Sequence, residues 1–505
     1  MPTHYLAIDL GAESGRVMLG TLDGAKISLE ELHRFPNTPV KADGALTWNI
    51  TALFDEVKAG LRLAAARRLP IASLSTDSWG VDYMLFDGAG ELMEPTFHYR
   101  DARTARGVEV AKSRVDWKMI FDETGIQFMP LNTLFQLAAE SPERLGRAAQ
   151  MLTIADAFNF LLCGVARVDA SNASTTQLYN PRTQAWSKKL IHALGLPERL
   201  FPSIIPCGTR LGPLTPALSR ESSLPAIEVV ASCSHDTAAA VAAVPALASP
   251  RTQDPRPQAP SWAYLSSGTW SLLGAELPSP VISEACREMN FTNEIGFGGT
   301  VRLLKNIIGL WLVQECRREW EQAGRPFDYA TLARFAEAAP PFVSLINPAD
   351  ARFIAPGDMP QKIAAFCRES GQPAPATPGA TIRCVLESLA LLYRRTLRQL
   401  EQLLGNQFER LHIVGGGSRN ALLNQFTANA LQIPVLAGPV EATALGNVLV
   451  QAIALGHLPS LAEARKVVRT CFEVTTFLPK EAAEWAPQAA RLDELMHRHP
   501  GVTKR

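Results

Sequence analysis

Tyr5-Leu6-Ala7-Ile8-Asp9-Leu10-Gly11-Ala12-Glu13-Ser14-Gly15-Arg16-Val17-Met18-Leu19-Gly20-Thr21 is the stretch on which the reading of the fold turns. An apolar strand, residues 5–8, runs into a tip of small and polar residues, and a second strand, 17–21, leaves it. The same loop type recurs far downstream. There Ala263-Tyr264-Leu265 leads into Ser266-Ser267-Gly268-Thr269-Trp270-Ser271, and Leu272-Leu273-Gly274 follows. Tips of Gly, Ser and Thr offer backbone N–H groups and hydroxyls with little bulk, which suits close approach to phosphate. Either loop alone reads as an ordinary hairpin. Two of them favour a nucleotide whose phosphates are clamped between two domains.

Length agrees with that division, because 505 residues exceed what one core normally serves. Hydrophobic residues make up 47% and charged residues 19%, a globular composition. Lys+Arg and Asp+Glu balance at 49 each, so charge gives no reason to expect nucleic acid or an anionic membrane as partner. The N-terminus leads straight into a strand without a basic stretch and apolar core, so no signal peptide is expected. The small-apolar stretch 238–248 is too short to span a bilayer and contains Pro245. None of the eight cysteines forms a C-x-x-C pair. They read as reduced, mostly buried thiols of a cytoplasmic protein.

Strands and helices alternate along the chain, an α/β pattern. Leu53, Phe54, Val57, Leu61, Ala64 and Ala65 share one helical face behind a Thr51 cap. Residues 71–76 read as a strand leading to Asp77-Ser78-Trp79-Gly80-Val81-Asp82. Residues 102–200 read as mainly helical. A strand at 229–231 delivers Ser234-His235-Asp236-Thr237 to its carboxyl end, and an Ala-rich helix, 238–244, follows. Helices are expected at 304–323 and 381–404, and a strand at 411–414 feeds Gly415-Gly416-Gly417. Residues 245–261, rich in Pro and polar residues, read as an exposed connector. The expected organisation is an N-terminal domain at 1–244, the connector at 245–261, a C-terminal domain at 262–480 and a tail at 481–505. Two halves that each begin strand–phosphate loop–strand suggest an old duplication.

Five segments carry candidate chemistry. Asp9 ends a buried strand, where a carboxylate needs a partner; it reads as a Mg²⁺ ligand or as a turn cap. Asp236 opens a helix whose N-terminus favours anions; it reads as the acceptor of a substrate hydroxyl proton or as a helix cap or first-turn residue. The glycines 415–417 allow backbone to approach a nucleotide, and Gly446 reads as close packing against a base or against a helix. Trp79 with Asp77 and Asp82 suits sugar recognition, and equally suits a core Trp with solvated aspartates.

On these segments, with Tyr99-Arg100-Asp101 and Leu304-Lys305-Asn306-Ile307, the chain resembles the FGGY carbohydrate kinases of the actin-like ATPase superfamily over nearly its whole length. The resemblance implies two actin-like (ribonuclease H-like) α/β domains with an interdomain cleft, the first on the sugar side and the second on the nucleotide side. It implies that Ala12, Glu13, Ser14, Gly15, Arg16, Thr269, Gln314, Gly415, Gly416 and Gly417 bind ATP. Gly80, His235, Asp236, Thr237 and Asn306 would hold the sugar, Asp236 would take the proton, and Asp9 would position Mg²⁺. The Trp-Gly-Val-Asp, His-Asp-Thr and Ser-Ser-Gly-Thr-Trp-Ser segments resemble the branch that phosphorylates the ketose L-rhamnulose at O1. Sugar and ATP are then the expected partners, with no nucleic acid or membrane, for a monomer or small homo-oligomer. A disulfide of the family is not carried over, because no matched cysteine pair stands out. The rival readings are a kinase of another ketose, such as L-fuculose or a xylulose, and an actin-like binding ATPase.

Overall fold

The computed structural model describes residues 1–246 and 260–500. The chain forms two compact units, and neither is contiguous. The first joins Met1–Ala248 to Glu276–Leu303 and Glu441–Phe472. The second joins Ser249–Ala275, Leu304–Val440 and Glu473–Arg505. This departs from the expected contiguous division at 244 and 262, because two segments of the sequence's second half complete the first unit. Residues 247–259 of the expected connector lie outside the described residues.

In the first unit the strand Thr3–Leu10 is buried along nearly its whole length, as a central strand covered on both faces must be. Six strands lie in the order Thr209–Pro213, Glu228–Ala231, Ile71–Ser78, Thr3–Leu10, Ser14–Asp23, Lys26–Pro36. Thr3–Leu10 pairs parallel with Ile71–Ser78 and antiparallel with Ser14–Asp23. The helix Ile50–Ala66 presents Leu53, Val57, Leu61 and Ala64 to the core. Its cap is Asn49, not Thr51: the Asn49 side chain accepts from Ala52 N at 3.1 Å. Gly60 lets this helix settle on the sheet, since a Cβ there would lie 2.3 Å from Val17 Cγ2.

The late helix Ala442–Ala454 belongs to this same unit. Gln451 Nε2 donates to Leu6 O at 3.0 Å and Asn447 Nδ2 to Asp77 Oδ2 at 2.6 Å. A Cβ on Gly446 would lie 1.8 Å from Ala239 O, so the helix presses on the backbone of the helix Asp236–Ala242. Gly446 is thus a helix-packing glycine.

The second unit repeats the arrangement. Its strands lie in the order Val301–Ile308, Trp270–Leu277, Trp262–Ser267, Arg410–Val414, Val435–Ala437, Thr475–Phe477. Trp262–Ser267 is again central, antiparallel to its hairpin partner and parallel to the next strand, and the edge strand is again antiparallel. Residues 304–308, expected to start a helix, are strand. Gly309 ends it, and the helix runs over Trp311–Gln322. Residues from 481 are no tail: Ala482–Arg498 is a helix whose Trp485 packs on Phe342 and Phe426, ring centroids 4.9 and 5.3 Å away.

All eight cysteines are free thiols. Two pairs nonetheless meet across long sequence distances, a closeness that spacing did not reveal. Cys207 is held well above the usual thiol range, first by its hydrogen bond with Cys233, and Cys384 likewise by its hydrogen bond with Cys367.

Candidate active site

In the first unit, Leu10 pairs with Gly15 and Asp9 with Arg16, which leaves residues 11–14 as the hairpin tip. The tip is braced from below, with Asn37 Nδ2 donating to Gly11 O at 2.8 Å and Asn37 N to Glu13 O at 3.0 Å. Gly15 is required by contact, since a Cβ there would fall 2.2 Å from the Phe35 ring. Ala12, Glu13 and Ser14 keep exposed surface at the tip. Arg16 links two carboxylates, Asp9 and Glu441. Burial works against its charge, but these two neighbours more than compensate and hold its pKa above the ordinary value.

Asp9 stands opposite Asp77 on the neighbouring parallel strand. Burial pushes the Asp77 carboxyl well above the usual range, with the Asp9 and Asp236 charges adding to it and the Asn447 bond opposing. Asp77 Oδ1 is buried with no hydrogen-bond partner. Ser78, next along, bridges to His235, and Ser78 N donates to Ser234 O at 2.9 Å. The unit therefore gathers Asp9, Asp77, His235 and Asp236 at the carboxyl ends of adjacent strands.

The His235 turn is fixed by buried groups. Ser234 Oγ donates to Asp156 at 3.0 Å, Ser234 N to Asp169 at 3.2 Å, and His235 N to Ser171 Oγ at 3.1 Å. Asp236 begins the helix, and Thr237 Oγ1 donates to its Oδ1 at 3.0 Å. Burial pushes the Asp236 carboxyl up to about 7, against the Thr237 bond and with the Asp9 charge adding. Its side chain stays 32% exposed, enough for a substrate hydroxyl to reach it. The cap position is His235, and Asp236 stands in the first turn of the helix.

Gly80 follows the strand Ile71–Ser78. A Cβ there would lie 3.0 Å from Thr175 Oγ1, so the loop passes close over the helix Ala170–Thr175. Val81 sits at φ 71°, a strained conformation for a β-branched residue, held by Thr175, Thr133 and Gln136. Trp79 is a core residue, but the aspartates beside it are buried rather than solvated. Asp82 accepts from Trp48, Trp79, Tyr99 N and Gln136 and has no exposed surface. Trp79 packs on Trp48 at 4.5 Å between centroids.

In the second unit the hairpin Ser267–Trp270 is the centre. Leu310 N donates to Gly268 O at 3.0 Å and Trp311 N to Thr269 O at 3.2 Å, which seats the start of the Gln314 helix on the tip. Gln314 Oε1 is buried without a partner. Ser266 pairs with Val414, bringing Gly415, Gly416 and Gly417 beside the tip. A Cβ on Gly417 would lie 2.0 Å from Ser267 Oγ, and Gly415 has φ 85°. Gly416 is exposed. Asn306 lies on the strand Val301–Ile308, two residues before its end, and is half-buried.

Sequence reasoning passed over Glu441, Asp77 as a partner of Asp9, Arg302 and Glu294. Asp77 had a signal: like Asp9, it is a carboxylate near the end of an apolar strand. Arg302 and Glu294 had none, because they meet His235 only across long stretches of sequence, 67 residues for Arg302. Among the described residues no group of three or more His, Cys, Asp or Glu forms a metal site. Asp9 and Asp77 still suit Mg²⁺ arriving with a nucleotide, which needs one or two carboxylates, and the bare Asp77 oxygen is a hard donor.

Paired sheets of one topology, glycine-built tips and a helix-opening aspartate are the frame of a phosphotransferase. The profile of the FGGY family of carbohydrate kinases, N-terminal domain, matches residues 4–243, and that of its C-terminal domain matches 263–455. The chain belongs to this family. It is 43% identical to a rhamnulokinase of Bacteroides thetaiotaomicron over 96% of its own length and 98% of that protein's. It is 41% identical to a rhamnulokinase of Enterococcus faecalis, covering 93% and 92% of the two. Among solved structures, xylulose kinase from Lactobacillus acidophilus shares the fold at TM-score 0.79 and 16% identity, covering 98% of each chain. Glycerol kinase with ADP from Plasmodium falciparum shares it at 0.78 and 14%, covering 100% and 99%. Among the described residues no helix is long and apolar enough to cross a membrane.

Proposed function

We propose that this chain transfers the γ-phosphoryl group of ATP to O1 of L-rhamnulose, giving L-rhamnulose 1-phosphate in cytoplasmic rhamnose breakdown. The observation that carries the reading is near-full-length identity of about 40% to several rhamnulokinases. Asp236 supports it, as a partly exposed carboxylate with its proton affinity raised toward neutrality. In the transfer the O1–Pγ bond forms as the bond from Pγ to the β,γ-bridging oxygen breaks. ADP leaves with that electron pair, and the O1 proton goes to the Asp236 carboxylate. Phosphoryl transfer is loose, so positioning and charge neutralisation outweigh base strength.

Ala12, Glu13, Ser14, Gly15, Arg16, Thr269, Gln314, Gly415, Gly416 and Gly417 are the residues assigned to ATP in this reading. The buried, unpartnered Gln314 Oε1 supports its place in that set. Gly80, His235, Thr237 and Asn306 hold the sugar. Asp9 and Asp77 are the residues to hold Mg²⁺, whose chemistry is to neutralise phosphate charge.

ADP release with MgATP is measured against L-rhamnulose, L-fuculose, L-xylulose, D-xylulose, glycerol and no sugar. A dominant rate with L-rhamnulose is expected. Dominance of another ketose overturns the substrate, and equal release throughout overturns the kinase reading in favour of a binding ATPase.

A further inference from the structure

Arg302 lies on the strand Val301–Ile308 with no exposed surface. Its Nη2 is 3.1 Å from His235 Nδ1 and 3.2 Å from Glu294 Oε2. Nε and Nη2 also donate to Ile295 O, at 3.3 and 3.2 Å. A guanidinium has donors and no acceptor. His235 Nδ1 therefore faces a group that can only donate, and must offer its lone pair. Burial and then the Arg302 charge keep the imidazole neutral, holding its pKa well below the usual value. The single ring proton is left on Nε2, the nitrogen 3.4 Å from Asp236 Oδ1.

Glu294 pulls the other way. Its Oε2 also lies 3.4 Å from His235 Nδ1 and would accept a proton placed there. Arg302 stands closer to Nδ1 and engages the same glutamate oxygen, so the contest goes to the guanidinium. Asp236 on the far side completes the charged groups that face the ring.

We infer that Arg302 is a positioning residue for the sugar site, fixing His235 as the neutral Nε2–H tautomer beside Asp236. His235 then presents a donor and Asp236 an acceptor. A sugar hydroxyl can be held by its oxygen while its proton is taken. The other tautomer would place two acceptors, Nε2 and the carboxylate, in competition for one proton. The kinetic consequence rests on the kinase reading; the tautomer does not.

The test is ¹⁵N NMR of the histidine rings in the full chain, with His235 assigned by its loss in His235→Gln. The wild type is expected to carry the proton on Nε2 with Nδ1 bare. In Arg302→Met/Glu294→Met, which leaves neither partner of the ion pair buried alone, that fixed assignment is expected to be lost. The KM for L-rhamnulose should rise about tenfold, the scale of one lost hydrogen bond, with the KM for ATP unchanged. Arg302→Lys, also donor-only, should keep the tautomer and most of the sugar affinity, and serves if the double variant does not fold. A wild-type proton on Nδ1, an unaltered tautomer in the double variant, or a lost tautomer with unchanged sugar KM overturns the inference. An Arg302-dependent tautomer in a protein that phosphorylates no sugar supports it and overturns the kinase reading instead.

Discussion

The Asp9–Arg16 hairpin and the Ser267–Trp270 hairpin hold the same place in their sheets, each joining a central strand to its antiparallel partner. They are equipped differently. The first is charged, with Arg16 tied to Asp9 and Glu441 and with Asp77 one strand away. The second is neutral, a tip of backbone and hydroxyls over which Gly415 and Gly417 close to within one missing methyl of Ser267. One topology thus serves two tasks. Charge belongs where a reaction develops charge, and bare backbone belongs where a ligand need only be cradled. Substitution of Asp236 should therefore act on turnover, and substitutions at the second tip on nucleotide affinity.

Asp236→Asn should break the charged half hardest. Turnover should fall about 10²–10⁴-fold, the usual worth of a positioned acid–base group, with the KM for L-rhamnulose within several-fold in steady-state assays. Next, because a proton on the Asp236 carboxyl removes the acceptor, kcat/KM should fall as pH drops below about 7. The rate should decline about tenfold per unit there, and the residual activity of Asp236→Asn should lack this limb. At the neutral hairpin, Gly417→Ala pushes a methyl against Ser267. The KM for ATP should rise about tenfold, or 1.4 kcal/mol, with kcat nearly unchanged. A kcat effect as large as that of Asp236→Asn would erase the distinction between the two tips.

The smallest effect concerns stability. Burial, then the Asp169 charge, raises the Asp156 carboxyl to about 8, so the folded state binds this proton more tightly than the unfolded chain does. Stability from this group is full below the unfolded value near 4 and declines as pH rises toward 8. Wild type should melt lower at pH 9 than at pH 6, and Asp156→Asn should narrow that gap in thermal scans.

The repeated strand–tip–strand signal was legible because each copy is local: an apolar run, a small-residue tip, another run. The paired sheets of like topology agree with the duplication that the signal suggested. Asp236 was legible for the same reason, at the junction of a strand and an Ala-rich helix. Trp79 and Asp82 could not be decided from spacing, because Asp82's partners include Trp48, Tyr99 and Gln136, which lie far away in sequence. The discontinuous units were also hidden. Nothing in the segment 441–472 announces that Asn447 and Gln451 will bond to the first strands of the chain. The strand at 304–308 reads as helix from sequence because Leu304, Ile307 and Ile308 fall at i, i+3 and i+4, the spacing of a helical face.

That late segment bears on how the protein comes off the ribosome. Ser73, Asp77 and the Ala239 backbone are made roughly 200 or more residues ahead of the Gln451, Asn447 and Gly446 that they meet. The nascent first unit lacks these contacts while some 200 further residues are translated, which at 5–20 residues per second is roughly 10–40 seconds. Throughout that interval the apolar surface awaiting the Ala442–Ala454 helix is uncovered, a window for chaperone capture that a contiguous domain would not have.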